Sequence, residues 1–158
     1  MTTHLLLGTN MGDREAMLDS AMQHIGRCIG SIMGKSSVYE TQSWGYHDAD
    51  YLNQVIICET GLNPAALLEA IHSIESRMGR ERSGQGYQAR PIDIDILFYG
   101  SLCMESRDLT IPHPLIQERR FALIPLDGSL IHPRLKDSIS SLLSRCPDQS
   151  NVRLYRKN

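Results

Sequence analysis

Aromatic side chains are scarce: the chain has two Phe and one Trp in 158 residues, and aromatics make up 6% of it. Sheets that bind RNA by stacking bases need exposed rings on their central strands, so this composition argues against them. Cysteine is thinly spread as well. Cys28, Cys58, Cys103 and Cys146 stand far apart with no C-x-x-C pair. That spacing excludes a zinc ribbon and a disulfide framework, and it suits reduced thiols in the cytoplasm. The six histidines are scattered and include no H-E-x-x-H, so nothing points to zinc. No apolar run approaches the about 18 residues of a membrane span. The opening MTTHLLLGTN has no basic n-region, which excludes a secretory signal. The expected setting is cytoplasmic, with no membrane partner.

What is present is globular composition: 41% hydrophobic and 22% charged residues. A chain of this length buries roughly 70% of its unfolded surface and folds without staples. One domain over residues 1–158, acting as a monomer, is the expectation. The net charge of −2 conceals a division, −6 over residues 1–76 and +4 over residues 77–158. From Arg77 to Arg120 every basic residue is an arginine. Such a balance suits a local anionic ligand, since the guanidinium fork matches phosphate. It does not suit bulk attraction to duplex nucleic acid, and no nucleic-acid partner is expected.

THLLLG over residues 3–8 reads as a buried strand. Met17, Leu18, Ala21, Ile25, Cys28, Ile29 and Ile32 recur at helical steps and predict a helix ending near Gly34. SSVYET and YLNQVIICET read as strands. Asn63-Pro64 opens a second helix whose apolar stripe is Leu67, Leu68, Ile71, Ile74 and Met78. IDIDILFYG is a further strand, preceded by the glycine-rich GRERSGQGYQARP. Short helices are predicted around Glu118–Leu123 and Ser138–Ser144, and a last strand at VRLY. The order β-α-β-β-α-β is that of an α+β, ferredoxin-like antiparallel sheet with both helices on one face, here with a C-terminal extension.

Gly30-Ser-Ile-Met-Gly34-Lys35-Ser36 imitates a phosphate loop but has three residues between its glycines where the motif needs four. It also lies at a predicted helix end, where Gly34 reads as a C-cap. Ile92-Asp93-Ile94-Asp95-Ile96 carries more chemistry. Strand alternation sends the isoleucines to the core and both aspartates to the other face, about 7 Å apart. Such a pair can hold magnesium with phosphate oxygens completing the shell, or it can simply face water. Arg80, Arg82 and Arg90 stand in or beside the glycine-rich segment that feeds this strand. Carboxylates flanked by arginines are what phosphoryl transfer needs.

The ordered series LLLGTNMGD, SSVYETQSWG, DADYLNQVI, IESRMGRER, ARPIDIDILFYG and IPHPLIQERRFALIPL resembles the 6-hydroxymethyl-7,8-dihydropterin pyrophosphokinases of folate biosynthesis. The resemblance runs from residue 5 to about 133. It implies pyrophosphate transfer from ATP to the hydroxymethyl oxygen of the pterin, with release of AMP, on a ferredoxin-like scaffold with two magnesium ions. By matched position it implies Asp93 and Asp95 as metal ligands. It implies Arg80, Arg82 and Arg90 on the triphosphate, with Glu75, His113 and Arg119 at the nucleotide. Asn53 would read the pterin's amide-like edge, Phe121 would stack on its ring, and Thr41, Gln42 and Trp44 would add contacts. An amide has the donor and acceptor such an edge requires, and a flat side chain suits a flat heterocycle.

Gly86, Tyr87, Gln88 and Ala89 stand where that family usually has a basic residue, an aromatic, Gly and Pro, and Gln42 replaces a frequent proline. These departures bear on loop behaviour, while the metal and arginine positions are intact. Two other readings share the D-x-D or the topology. One is a nucleotidyl transferase of the polymerase-palm type, which would release pyrophosphate. The other is a non-catalytic ligand- or RNA-binding module.

Overall fold

In a computed structural model of the chain, the residues described are 1–42, 49–79 and 91–156. The strands β1 (Thr2–Thr9), β2 (Gly30–Lys35), β3 (Tyr39–Thr41), β4 (Tyr51–Thr60) and β5 (Asp93–Tyr99) form the main sheet, with α1 (Arg14–Cys28) and α2 (Pro64–Arg77) as crossovers. β6 (Met104–Glu105) and β7 (Thr110–Ile111) make a small separate hairpin. They are followed by α3 (Arg120–Leu123), α4 (Ile139–Ser144) and β8 (Val152–Leu154). The sheet order is β5-β1-β4-β3-β8, with β2 also on β4, and every pairing is antiparallel. This is the expected α+β arrangement.

One expected boundary is wrong. The helix predicted to reach Gly34 stops at Cys28, and Gly30–Lys35 is a strand. Ile32 therefore belongs to a strand, and Gly34 pairs with Ile57 and caps no helix. The reason is long-range. β4 is ten residues long, and β2 and β3 occupy its two halves in succession. Gly30 lets the chains approach, because a Cβ there would overlap the carbonyl oxygen of Glu59. The exposure of β2 alternates along its length, a period-two pattern that the isoleucine spacing hid.

Both crossover helices are capped by a side chain at their start. Asp13 caps α1 by accepting from Ala16 N–H, and Asn63 caps α2 by accepting from Ala66 N–H, with proline in the first turn. Leu18, Ala21 and Ile25 of α1 and Leu67, Ile71 and Ile74 of α2 pack on Leu5, Leu7, Ile56, Ile94 and Ile96 of the sheet. The opposite face is covered only in part. There Leu6, Val55, Leu97 and Phe98 meet Ile116, Ala122, Leu123, Ile139 and Leu142 of the C-terminal segments. A register irregularity leaves Leu97 between Ile96, paired with Leu5, and Phe98, paired with His4. It resets the alternation, so adjacent Leu97 and Phe98 both join this second core. The N-terminal half of β5 remains uncovered by that core.

Candidate active site

The cleft at that uncovered end has a volume of about 1010 Å³. Its floor is the sheet. Asp93 and Asp95 come from β5, Gly8 from β1, Asn53 and Tyr51 from β4, and Thr41 from β3. In register, Gly8 lies between Asn53 on one side and Asp93 on the other. With strands about 4.8 Å apart, the amide and the carboxylate are separated by roughly 10 Å, and no side chain stands between them. Ile94 is 5% exposed and faces the helices, as the alternation of I-D-I-D requires.

One wall of the cleft is built by the segment from β7 to α3. His113, flanked by Pro112 and Pro114, is tied to β5 by its N–H, which donates to Leu97 O at 3.0 Å. Its Nδ1 accepts from Leu115 N–H at 3.1 Å, which leaves the proton of the neutral ring on Nε2. Nε2 faces Asp95 Oδ2 at 4.0 Å. Burial, and then the positive charge of Arg119, push the His113 pKa down to about 4, so the ring is neutral at pH 7. Arg119 Nη1 lies 3.8 Å from the same Asp95 oxygen, and its guanidinium carbon lies 5.7 Å from the centre of the Phe121 ring. One arginine thus touches both the carboxylate and the aromatic face.

Glu75 is only 2% exposed, in the last turns of α2. Its Oε1 accepts from Ile94 N–H at 3.0 Å, between the two aspartates on the outer strand of the sheet. It lines the cleft and also fastens β5 to the helix layer. Asn53 donates from Nδ2 to Thr41 Oγ1 at 3.0 Å, and both residues are buried. Gln42 lines the same cleft.

Nine expected site residues therefore converge: Thr41, Gln42, Asn53, Glu75, Asp93, Asp95, His113, Arg119 and Phe121. Trp44, Arg80, Arg82 and Arg90 lie outside the described residues. Lining residues that the sequence reading missed include Gly8, Tyr51, His72, Thr110 and Asp148. Two of them had a local signal: Tyr51 is two residues from Asn53 on one strand, and His72 is one turn from Glu75 on one helix. Asp148 had none. Among the described residues no three His, Cys, Asp or Glu side chains form a metal-binding group. A pair of carboxylates fits magnesium, which fills its remaining positions with water and phosphate.

The family model of 7,8-dihydro-6-hydroxymethylpterin-pyrophosphokinase (HPPK) matches residues 4–129, a stretch that ends before α4 and β8. A 2-amino-4-hydroxy-6-hydroxymethyldihydropteridine pyrophosphokinase of Methylorubrum extorquens is 39% identical over 125 residues, 78% of each chain. The protein of the same name from Bacillus subtilis is 35% identical over 98% of this chain and 90% of its own length. In fold, the chain is similar to a crystallised HPPK-DHPS in complex with substrates. The TM-score is 0.73 at 15% identity, covering 91% of this chain and 43% of that one. A Plasmodium falciparum HPPK-DHPS gives a TM-score of 0.71 at 18% identity, also over 43% of its length. This chain thus spans less than half of those solved chains. The match over most of the sequence, together with near-full-length relatives, shows that the chain belongs to the 7,8-dihydro-6-hydroxymethylpterin-pyrophosphokinase family.

Proposed function

We propose that this chain transfers pyrophosphate from ATP to the hydroxymethyl oxygen of 6-hydroxymethyl-7,8-dihydropterin and releases AMP. The observation that carries the reading is the shared cleft floor. An amide, a bare glycine and the first carboxylate of the pair, Asp93, lie in line across three adjacent strands, with Asp95 two residues along beside Leu6. That spacing seats a flat heterocycle at one end and a phosphate chain at the other.

Asn53 reads the amide-like edge of the pterin, with its orientation held by Thr41. Phe121 stacks on the ring, a contact worth roughly 1 kcal/mol beyond area burial. Gln42 adds contacts at the same end, and the resemblance assigns Trp44, outside the described residues, to the pterin as well. Asp93 and Asp95 lie at the end of the cleft that would take the triphosphate. Glu75 and His113 lie at the nucleotide, and Arg119 with Arg80, Arg82 and Arg90 neutralises its phosphates. Asp93 and Asp95 would hold magnesium, two ions by the family resemblance, which would supply Lewis-acid stabilisation of the transferring group and lower the hydroxyl's pKa. The hydroxymethyl oxygen forms a bond to the β-phosphorus in line. The bond from the β-phosphorus to the oxygen bridging to the α-phosphate breaks, and AMP leaves with that oxygen. The hydroxyl proton passes through water to Asp95. Neutral His113 offers its Nε2 proton to phosphate oxygen without carrying a charge of its own.

The test is incubation with ATP, magnesium and the hydroxymethyl-dihydropterin, followed by chromatography. AMP and a pyrophosphorylated pterin are expected. Release of free pyrophosphate with a nucleotidyl-pterin product would refute the reading and favour nucleotidyl transfer. Asp95→Asn should lower turnover by more than about a hundredfold, the scale of a lost charge-stabilising group, with an unchanged melting curve. Near-normal turnover would remove Asp95 from the metal site.

A further inference from the structure

β8 lies beyond residues 4–129, the stretch that the family model matches, yet it completes the part of the sheet that carries Thr41. We propose that β8, acting through Arg153, is a positioning element for Asn53, the amide that reads the pterin. This rests on the reading of Asn53 and Thr41 as pterin contacts.

β3 has only three residues and is flanked on both sides. Thr41 pairs with Tyr51 of β4 and with Val152 of β8, while Tyr39 pairs with Asn53 and Leu154. So short a strand is poorly determined by one neighbour alone. Its placement matters because Thr41 Oγ1 accepts from Asn53 Nδ2 at 3.0 Å. That bond sets which end of the amide faces the ligand. Asn53 Oδ1 is then the nearest atom to a Cβ built on Gly8, at 3.4 Å, so it is turned toward the middle of the cleft floor.

Glu40, next to Thr41, is the fastening point. Its side chain is 12% exposed. Oε1 accepts from Arg153 Nε at 2.9 Å and Nη2 at 2.6 Å, and Oε2 accepts from Arg14 Nη1 at 2.7 Å. Arg14 Nη1 also donates to the Asp50 carbonyl at 2.6 Å, and Arg153 Nη2 donates to Asp50 Oδ2 at 3.1 Å. One nearly buried carboxylate thus ties the start of α1, β3, the residue before β4 and β8 together. Two bonds from one guanidinium to one acid fix direction as well as distance. Tyr155 extends the contact, with the Arg14 guanidinium carbon 5.7 Å from its ring centre and its N–H donating to Val38 O at 2.9 Å.

Arg153→Glu in the full chain sets an acid against Glu40, at a side chain that is 59% exposed and outside both apolar cores. The expected result is a rise in KM for the pterin of about fivefold, with KM for ATP and kcat within about twofold of wild type. The Asn53 side-chain NH2 signals in a 15N spectrum should shift and exchange faster with solvent. Arg153→Lys keeps a cation beside Glu40 but loses the paired guanidinium donors, so both readouts should fall between those of Arg153→Glu and wild type. An unchanged pterin KM with unchanged Asn53 signals overturns the proposal, and so does an equal rise in both KM values. If the wild type turns over no pterin, the functional reading fails, and the Asn53 signals alone then decide whether β8 sets the amide.

Discussion

Gly8 allows the geometry of the cleft floor to be tested with one methyl group. It stands in register between Asn53 and Asp93, and its φ is not positive. Alanine therefore fits the backbone without strain. The nearest atom to the new Cβ is Asn53 Oδ1 at 3.4 Å, an ordinary contact. Gly→Ala at such a site stabilises by about 0.4–1 kcal/mol through the unfolded chain, which is roughly 1–4 °C in Tm for a domain of this size. Activity should move the other way. Under the proposed function, the methyl group enters the space that the pterin's hydroxymethyl arm crosses on its way to the phosphates. Overpacking of that kind costs ~1–3 kcal/mol, or roughly 5- to 150-fold in kcat/KM. The assay is AMP production against pterin concentration for wild type and Gly8→Ala, with thermal melting alongside. A variant at least as stable as wild type, with kcat/KM within about twofold of it, would show that the substrates do not meet over Gly8.

Gly30→Ala should have the opposite character. A Cβ there would strike the Glu59 carbonyl, so the β2–β4 pairing must shift. A loss of at least ~2 kcal/mol in chemical denaturation is expected, in line with steric damage to a packed site. Burial and Arg119 hold His113 near a pKa of about 4. In the metal-free protein its Hε1 signal should titrate below pH 5, and Arg119→Met should raise that midpoint. Because the folded value lies below the ordinary 6.5, this group's stabilising contribution is full above pH 6.5 and declines as the pH falls toward 4. Burial favours a raised pKa for Glu40, but the hydrogen bonds and charges of Arg153 and Arg14 outweigh it and hold the carboxyl below its ordinary 4.5. Its contribution is therefore present above pH 4.5 and is lost as the pH falls through the folded value. In melts run from pH 7 to pH 3, Glu40→Gln should lower Tm at neutral pH and flatten the acid limb, and an identical acid limb would refute the assignment.

Local patterns carried most of the elements but, among the site residues that converge, only the aspartate pair. β4, the start of α2 at Asn63-Pro64, and the outward pairing of Asp93 with Asp95 follow from periods of 2.0 and 3.6 residues and from capping chemistry, which act within a few residues. Gly30–Lys35 could not be read in that way. Its strand state depends on Ile56–Thr60, more than 20 residues downstream, and an isoleucine at helical spacing satisfies either period. His113, Arg119 and Phe121 were identifiable only by resemblance. Their meeting with Asp95 depends on how the segment after β7 packs over Leu97 and Phe98. The chemistry of each side chain and the face it presents were therefore already present in the order of residues. Which strand closes the sheet beside Thr41, and which acid Arg119 reaches, were decided by the tertiary structure, because pairing register and packing between distant segments leave no periodic trace in either partner.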